Sequence, residues 1–254
     1  MNESESILVS GAMVANPAAT GRSTGNLPDI TRRDAGAIVV SEWVVGTRER
    51  QRAFVETFAA SWEGDPRPDG LLSANLFAST DGRTVLLYGQ WTSEEAYDEF
   101  ARTQPKSRAI QINAAVPGIE RRPAVNYRLY RSTAPTGGGQ VTGCVVIVNV
   151  EFDGPDEHQQ QWVDAVFEAL EAEAALPPGG IAGHFHLSAD GTRVLNYAEW
   201  TDEKAHIEAL ERNGGSIGPG SKWQRVRTFP GMRSNGFKRY QLRWSFVPPQ
   251  SNVG

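Results

Sequence analysis

The sequence predicts an α+β protein in which two ferredoxin-like βαββαβ domains are fused as a pseudo-dimer, and three observations carry that prediction. The first is an internal repeat, which fixes the architecture before any local feature is read. Ser79–Thr92 realigns with Ser188–Thr201, 109 residues further on, with Ser, Asp-Gly, Val-Leu, Tyr and Trp-Thr coincident. Pro117-Gly118 and Tyr127-x-Leu129 return as Pro230-Gly231 and Tyr240-x-Leu242 after 113 residues, so four residues are gained around the Gly-rich stretch Gly214–Gly220. The second is the composition of Thr133-Ala134-Pro135-Thr136-Gly137-Gly138-Gly139-Gln140, which is that of a flexible linker. The third is the order of periodicities in each copy: strand, helix, hairpin, helix, strand. The expected division is a flexible arm over 1–35, a domain over 36–133, a linker over 134–140 and a domain over 141–249.

The elements follow in chain order. Residues 1 to about 35 are rich in Gly, Ser, Thr, Asn and Ala without a sustained period, as in a mobile or draped extension. Residues 37–45 and 144–152 are rich in Val and Ile, which suits strands covered on both faces. Residues 48–62 and 156–173 are helical, with Phe54, Phe58 and Trp62, then Trp162, Val166 and Leu170, at i, i+4, i+8 as core-facing stripes. Strands 71–79 and 84–92 flank Asp81-Gly82, and 181–188 and 193–200 flank Asp190-Gly191, a strong hairpin signal. Thr92-Ser93-Glu94-Glu95 has capping-box form and starts a second helix running through Phe100. Final strands carry Tyr127–Tyr130 and Tyr240–Phe246. Strand parity puts Asn196, Ala198 and Trp200 on one face and Leu195, Tyr197 and Glu199 on the other. Both faces are bulky, so helices cover one side and the sheet of the repeat covers the other.

Composition excludes several classes. The 254 residues are 39% hydrophobic and 22% charged, ordinary for a globular chain. A net charge of -5 gives no basic face for phosphates, so no nucleic-acid partner is expected. No apolar run approaches a bilayer span and the first residues are acidic, so a soluble cytoplasmic protein without a membrane partner is expected. Cys144 is the single cysteine and sits in an apolar run, where a buried small residue is expected rather than a nucleophile. No Gly-x-Gly-x-x-Gly, Walker loop or Gly-x-Ser-x-Gly elbow occurs.

The two hairpins end in Gln90-Trp91-Thr92-Ser93-Glu94-Glu95-Ala96 and Glu199-Trp200-Thr201-Asp202-Glu203-Lys204-Ala205, a Trp at a strand end before an acidic helix start. In this motif both halves resemble the antibiotic biosynthesis monooxygenase (ABM) domains, ferredoxin-like proteins that pair into an α+β barrel. Quinone-forming members acting on aromatic polyketide anthrones place an Asn four residues before the Trp and a Tyr six after it. Asn196 and Trp200 match the first spacing, where the first half has Leu87; Tyr97 matches the second, where the second half has His206. The resemblance therefore implies unequal sites, the second half being the better candidate. Tandem members include oxygenases that open the B ring of angucyclines, and this chain resembles that group. The implied chemistry needs no metal and no tightly bound cofactor: an electron-rich hydroquinone or anthrone loses a proton, its carbanion reduces O2, and the peroxide rearranges. Reduced flavin from a partner reductase is the cofactor alternative. A polyketide cyclase and a non-catalytic small-molecule binder are the rival functions, and pairing of two chains into a homodimer stays open.

All four histidines, His158, His184, His186 and His206, fall in the second half. His184 and His186 share a strand face, and hairpin pairing allows it to be that of Asn196 and Trp200. Either then serves as general base, or both satisfy buried hydrogen bonds or line a rim; a metal or haem site lacks a supporting triad. The expected catalytic set is His186, Asn196, Trp200 and His184. The expected substrate-binding set is His206, Trp223, Arg225, Trp91 and Tyr97, Trp223 capping the pocket after the Gly-rich loop and Arg225 facing an anion. Lys222, Arg225, Arg227, Arg233, Lys238, Arg239 and Arg243 form an acid-free run, read mainly as a solvated strand and loop.

Overall fold

The computed structural model describes residues 27–63, 68–133, 140–154, 157–173, 177–215, 218 and 220–247. In chain order the elements are β1 (Ala37–Val44), α1 (Arg48–Ala60), β2 (Leu71–Ser79), β3 (Thr84–Trp91), α2 (Glu94–Thr103), α3 (Lys106–Ala115), β4 (Glu120–Arg121) and β5 (Val125–Ser132). The second half continues with β6 (Cys144–Phe152), α4 (His158–Glu171), β7 (Gly180–Ser188), β8 (Arg193–Trp200), α5 (Glu203–Arg212), α6 (Ser221–Arg227) and β9 (Met232–Phe246). Each half is a ferredoxin-like unit. The helices α3 and α6 and the first eight residues of β9 are additions to the sequence reading. Their polar composition carries no clear period, and β9 is fixed by long-range pairing with β6 and β2.

Local chemistry starts and stops these elements identically in the two halves. In the hairpins Asp81 and Asp190 accept from the backbone two residues on and from Ser79 and Ser188, while Gly82 and Gly191 take φ of 79° and 77°. The left-handed turn is one that glycine adopts without a Cβ clash. Ser93 and Asp202 cap α2 and α5 by accepting from Ala96 N and Ala205 N, so the first cap lies one residue beyond the predicted Thr92.

The sheet closes on itself. Its strand order is β3-β2-β9-β6-β8-β7-β5-β1, and β1 pairs back to β3 with all neighbours antiparallel. Edge strand β2 of the first half meets β9 of the second, and β5 meets β7, so among the described residues no long edge is left unpaired. The result is the eight-stranded α+β barrel of a pseudo-dimer. Its interior is the joint core of both halves, packed with Ile38, Phe77, Leu86, Tyr88, Ile147, Leu195, Tyr197 and Tyr240. Glu42 of β1 accepts from Lys238 Nζ at 2.8 Å and Tyr240 Oη at 2.9 Å, a polar tie between the halves. Cys144 is buried, and burial pushes its thiol up to about 11.

The helices pack on the outer face of each sheet. Gln51 of α1 donates to Ser79 O, Ser79 Oγ and Thr84 O, and Gln159 of α4 donates to Ser188 O, Ser188 Oγ and Arg193 O, clamping each helix to its hairpin. Gln159→Leu leaves buried carbonyls unpaired, so urea unfolding should show a loss of about 1–3 kcal/mol. The predicted arm is seated over its last residues: Leu27 and Ile30 pack on the barrel interior, and Gln90 Nε2 donates to Asp29 O at 2.7 Å. Residues 1–26 and the linker residues 134–139 lie outside the described residues. No described helix is long and apolar enough to cross a membrane.

Candidate active site

Strand β8 decides which side chains meet. Its pleat turns Asn196, Ala198 and Trp200 outward under the helices and Leu195 and Tyr197 into the barrel, as parity predicts. Pairing with β7 puts Phe185 opposite Asn196 and Gly183 opposite Ala198, and His184 opposite Tyr197 and His186 opposite Leu195. Residues directly opposite share a face. His184 and His186 therefore stand on the face away from Asn196 and Trp200, which corrects the shared-face expectation. The four-residue connection Ala189–Thr192 between Ser188 and Arg193 is the physical reason, because an even-numbered loop pairs even positions of β7 with odd positions of β8.

Between the outer face of β6, β7 and β8 and the helices α4, α5 and α6 lies a cavity of ≈ 240 Å³. Its walls are largely apolar: Val146 and Val148 from β6, Trp162 and Val166 from α4, Phe185 from β7 and Trp223 from α6. Trp162 Nε1 donates to Val226 O at 3.2 Å and Trp223 Nε1 to Glu173 Oε1 at 3.1 Å, so both indoles are fixed. Gly183 leaves space here, since a Cβ on it would stand 3.4 Å from the Phe185 ring and 3.5 Å from Asn196 Oδ1. Asn196 Oδ1 is buried with no hydrogen-bond partner among the described residues.

His206 lies one turn into α5 and lines the same cavity. Its ring meets Trp200 edge-on at 4.8 Å and Phe237 at 5.1 Å, and Arg239 Nε donates to its Nδ1 at 2.9 Å. Burial, reinforced by the Arg239 charge, lowers the imidazole to about 4. Asn196, Trp200, His206 and Trp223 are thus brought together.

The remaining predicted residues lie elsewhere. His186 is fully buried in the barrel, with Nε2 3.1 Å from Tyr88 Oη and Nδ1 3.2 Å from Leu195 O. Desolvation lowers it to about 3, so it is neutral and shut off from the cavity. His184 faces the barrel end between Ser132 Oγ at 2.8 Å and Glu199 Oε1 at 3.5 Å. Arg225 points outward to Glu168 at 3.0 Å and lines no part of the cavity. Trp91 and Tyr97 meet edge-on at 5.5 Å in the matching position of the first half, around a separate cavity of ≈ 420 Å³ with Leu87 in its wall. Trp162 and Val166 read in the sequence as core alone and Arg239 as part of a solvated strand and loop, while Phe237 carries no signal of its own; the Trp162-Val166-Leu170 stripe is the one available signal. Among the described residues no three His, Cys, Asp or Glu side chains gather at a metal position.

A closed barrel of two ferredoxin-like units, with an aromatic slot between sheet and helices, defines the class of protein as a fused pseudo-dimeric α+β barrel with a small-molecule cavity. Residues 145–213, which form most of that cavity, match the family model "Antibiotic biosynthesis monooxygenase". Among curated proteins, tetracenomycin-F1 monooxygenase of Streptomyces glaucescens is 39% identical over 57 residues, 22% of this chain and 50% of the relative. The match thus spans about half the length of that relative. Among solved structures, an anthrone oxidase-like protein superposes with a TM-score of 0.66 at 17% identity, covering 86% of this chain and 95% of its own, which shows the shared fold.

Proposed function

We propose that the chain is an oxygenase acting on a polycyclic aromatic polyketide, a hydroquinone or anthrone, in the second-half cavity, and that it needs no tightly bound metal or prosthetic group. The observation that carries this reading is the unpartnered Asn196 amide oxygen in an otherwise apolar aromatic slot. A buried polar atom without a partner costs about 1–3 kcal/mol. A substrate hydroxyl offsets that cost by donating to it, while Trp162, Trp200 and Trp223 enclose a flat ring system. The relatives named above, a tetracenomycin monooxygenase and an anthrone oxidase-like protein, support the same substrate class.

The work of the protein in this reading is electrostatic. Asn196 Oδ1 accepts from a substrate hydroxyl and fixes the ring system, while the His206 imidazole donates to the substrate carbonyl oxygen, so loss of the CH2 proton to water leaves an enolate held by a preorganised donor. His186 takes no part, because it lies sealed on the other face of the sheet. The anion reduces O2, the two recombine as a peroxide, and elimination of water converts an anthrone CH2 into C=O. One oxygen atom enters the product, the other leaves as water, and the substrate supplies all the electrons. Ring opening, as in angucycline B-ring cleavage, follows where the peroxide attacks a neighbouring carbonyl instead.

The test is oxygen uptake by the metal-stripped protein with an anthrone or a chemically reduced angucyclinone, with and without reduced flavin. Uptake without flavin is the expected result. A flavin requirement assigns the electrons to a partner reductase and overturns cofactor independence. Substrate cyclised or bound without uptake overturns the oxygenase reading in favour of a cyclase or binder.

A further inference from the structure

The state of His206 is set by a residue outside the ABM match, on the last strand. Arg239 Nε is a donor under all ordinary conditions, and it stands 2.9 Å from His206 Nδ1. Nδ1 must therefore present its lone pair, and a neutral imidazole then carries its proton on Nε2. Trp200 and Phe237 hold the ring edge-on from two sides, with interplanar angles of 76° and 75°, so a ring flip that exchanges the nitrogens is opposed by packing. Nε2 has no hydrogen-bond partner among the described residues, and the ring lines the cavity. Arg239 is itself held against Phe237, its guanidinium carbon 5.2 Å from the ring centroid.

We propose that Arg239 is a positioning residue that locks His206 as the Nε2–H tautomer, so that the cavity presents a permanent neutral hydrogen-bond donor and selects ligands bearing an acceptor oxygen, a phenolate or quinone carbonyl, at that point. His206 is then a donor to the substrate oxygen and not the base that deprotonates it. The identity of the ligand rests on the oxygenase reading; the tautomer does not. Besides Arg239 from β9, the charged groups among the described cavity-lining residues are Glu199 on β8, which accepts from Thr142 Oγ1 at 2.8 Å, and Arg227 of α6. Burial and Arg239 both disfavour the imidazolium, which keeps the ring neutral through the physiological range.

Long-range proton–nitrogen correlation spectra of protein labelled with 15N-histidine read the tautomer directly, His206 being assigned by its absence in His206→Gln. The expected spectrum shows the Nε2–H form, unchanged between about pH 5.5 and 8. Arg239→Met should mix the tautomers and raise the titration only part of the way to the free imidazole value, because burial remains, while Arg239→Lys, which keeps a donor, should retain the wild-type pattern. Binding of 1,8-dihydroxyanthraquinone, which needs no turnover, should weaken by about tenfold in Arg239→Met, equivalent to one hydrogen bond. A wild-type Nδ1–H signal, or an Arg239→Met spectrum identical to wild type, overturns the proposal. Loss of oxygen uptake with the tautomer intact counts against the oxygenase reading alone.

Discussion

Asn196→Leu should abolish most turnover, by about two to three orders of magnitude, the usual scale for loss of one preorganised polar group at a reacting oxygen. The same substitution should leave the fold as stable as before or raise its stability by about 1 kcal/mol, because it removes a buried oxygen that has no partner. Leucine is also the residue at this position in the first half, where Leu87 lines the matching cavity. Loss of activity with a gain in stability is the signature of a polar group kept for a ligand and not for packing. Trp200→Phe should cost less, since it preserves an aromatic wall, and Leu87→Ala or Trp91→Phe should change turnover by less than about threefold. Steady-state rates and urea unfolding on the same preparations check both halves of the prediction. Equal losses from changes in the two halves would contradict a single dominant site.

His186→Leu should do the reverse, sparing the chemistry and weakening the fold. In the wild type Leu195 O can only accept, so His186 Nδ1 carries the proton and Nε2 accepts from Tyr88 Oη. This hydrogen bond joins β3 of the first half to β7 of the second within the barrel. Removing the imidazole leaves the Tyr88 hydroxyl buried and unpartnered, at a cost of about 2–4 kcal/mol including the packing change. The pH dependence has a definite sign. His186 binds a proton near 6.5 when unfolded but only near 3 when folded, so the unfolded chain holds the extra proton between these values. Wild-type stability should therefore fall by roughly 1 kcal/mol for each unit that the pH drops through this window. In His186→Leu that part of the slope disappears, leaving the smaller contribution of His206. Urea unfolding from pH 4 to 7 reads the difference. An unchanged acid slope would contradict neutral burial, and loss of turnover in a folded variant would restore His186 as a base.

The fold was legible in the sequence because its signals are local and occur twice. The Asp-Gly hairpins, the aromatic stripes at i, i+4, i+8 and the alternation of β8 each depend on residues within a few positions of one another. The repeat then multiplied their weight. Asn196 and Trp200 were legible through the family resemblance, whose Asn-x-x-x-Trp spacing they match, and His206 through the position at which the family carries Tyr. The placing of His184 and His186 differs on a point of register that the strand ends already contain: with four residues between Ser188 and Arg193, even positions on one strand face odd positions on the other. Other parts were not legible by any local rule. Arg239 meets His206 across 33 residues, and β9 is extended because β6 and β2 both pair with it, whatever its own composition. Trp162 and Val166 are core and cavity wall at once, a distinction that depends on empty space between layers and not on periodicity.

The most direct test of the account is a single-turnover reaction under 18O2 with an anthrone, comparing wild type with Asn196→Leu and Leu87→Ala by product mass. One labelled oxygen in the product from wild type and Leu87→Ala, with little from Asn196→Leu, is the predicted result. Product without label, or label lost in Leu87→Ala and kept in Asn196→Leu, would contradict oxygenation in the second-half cavity.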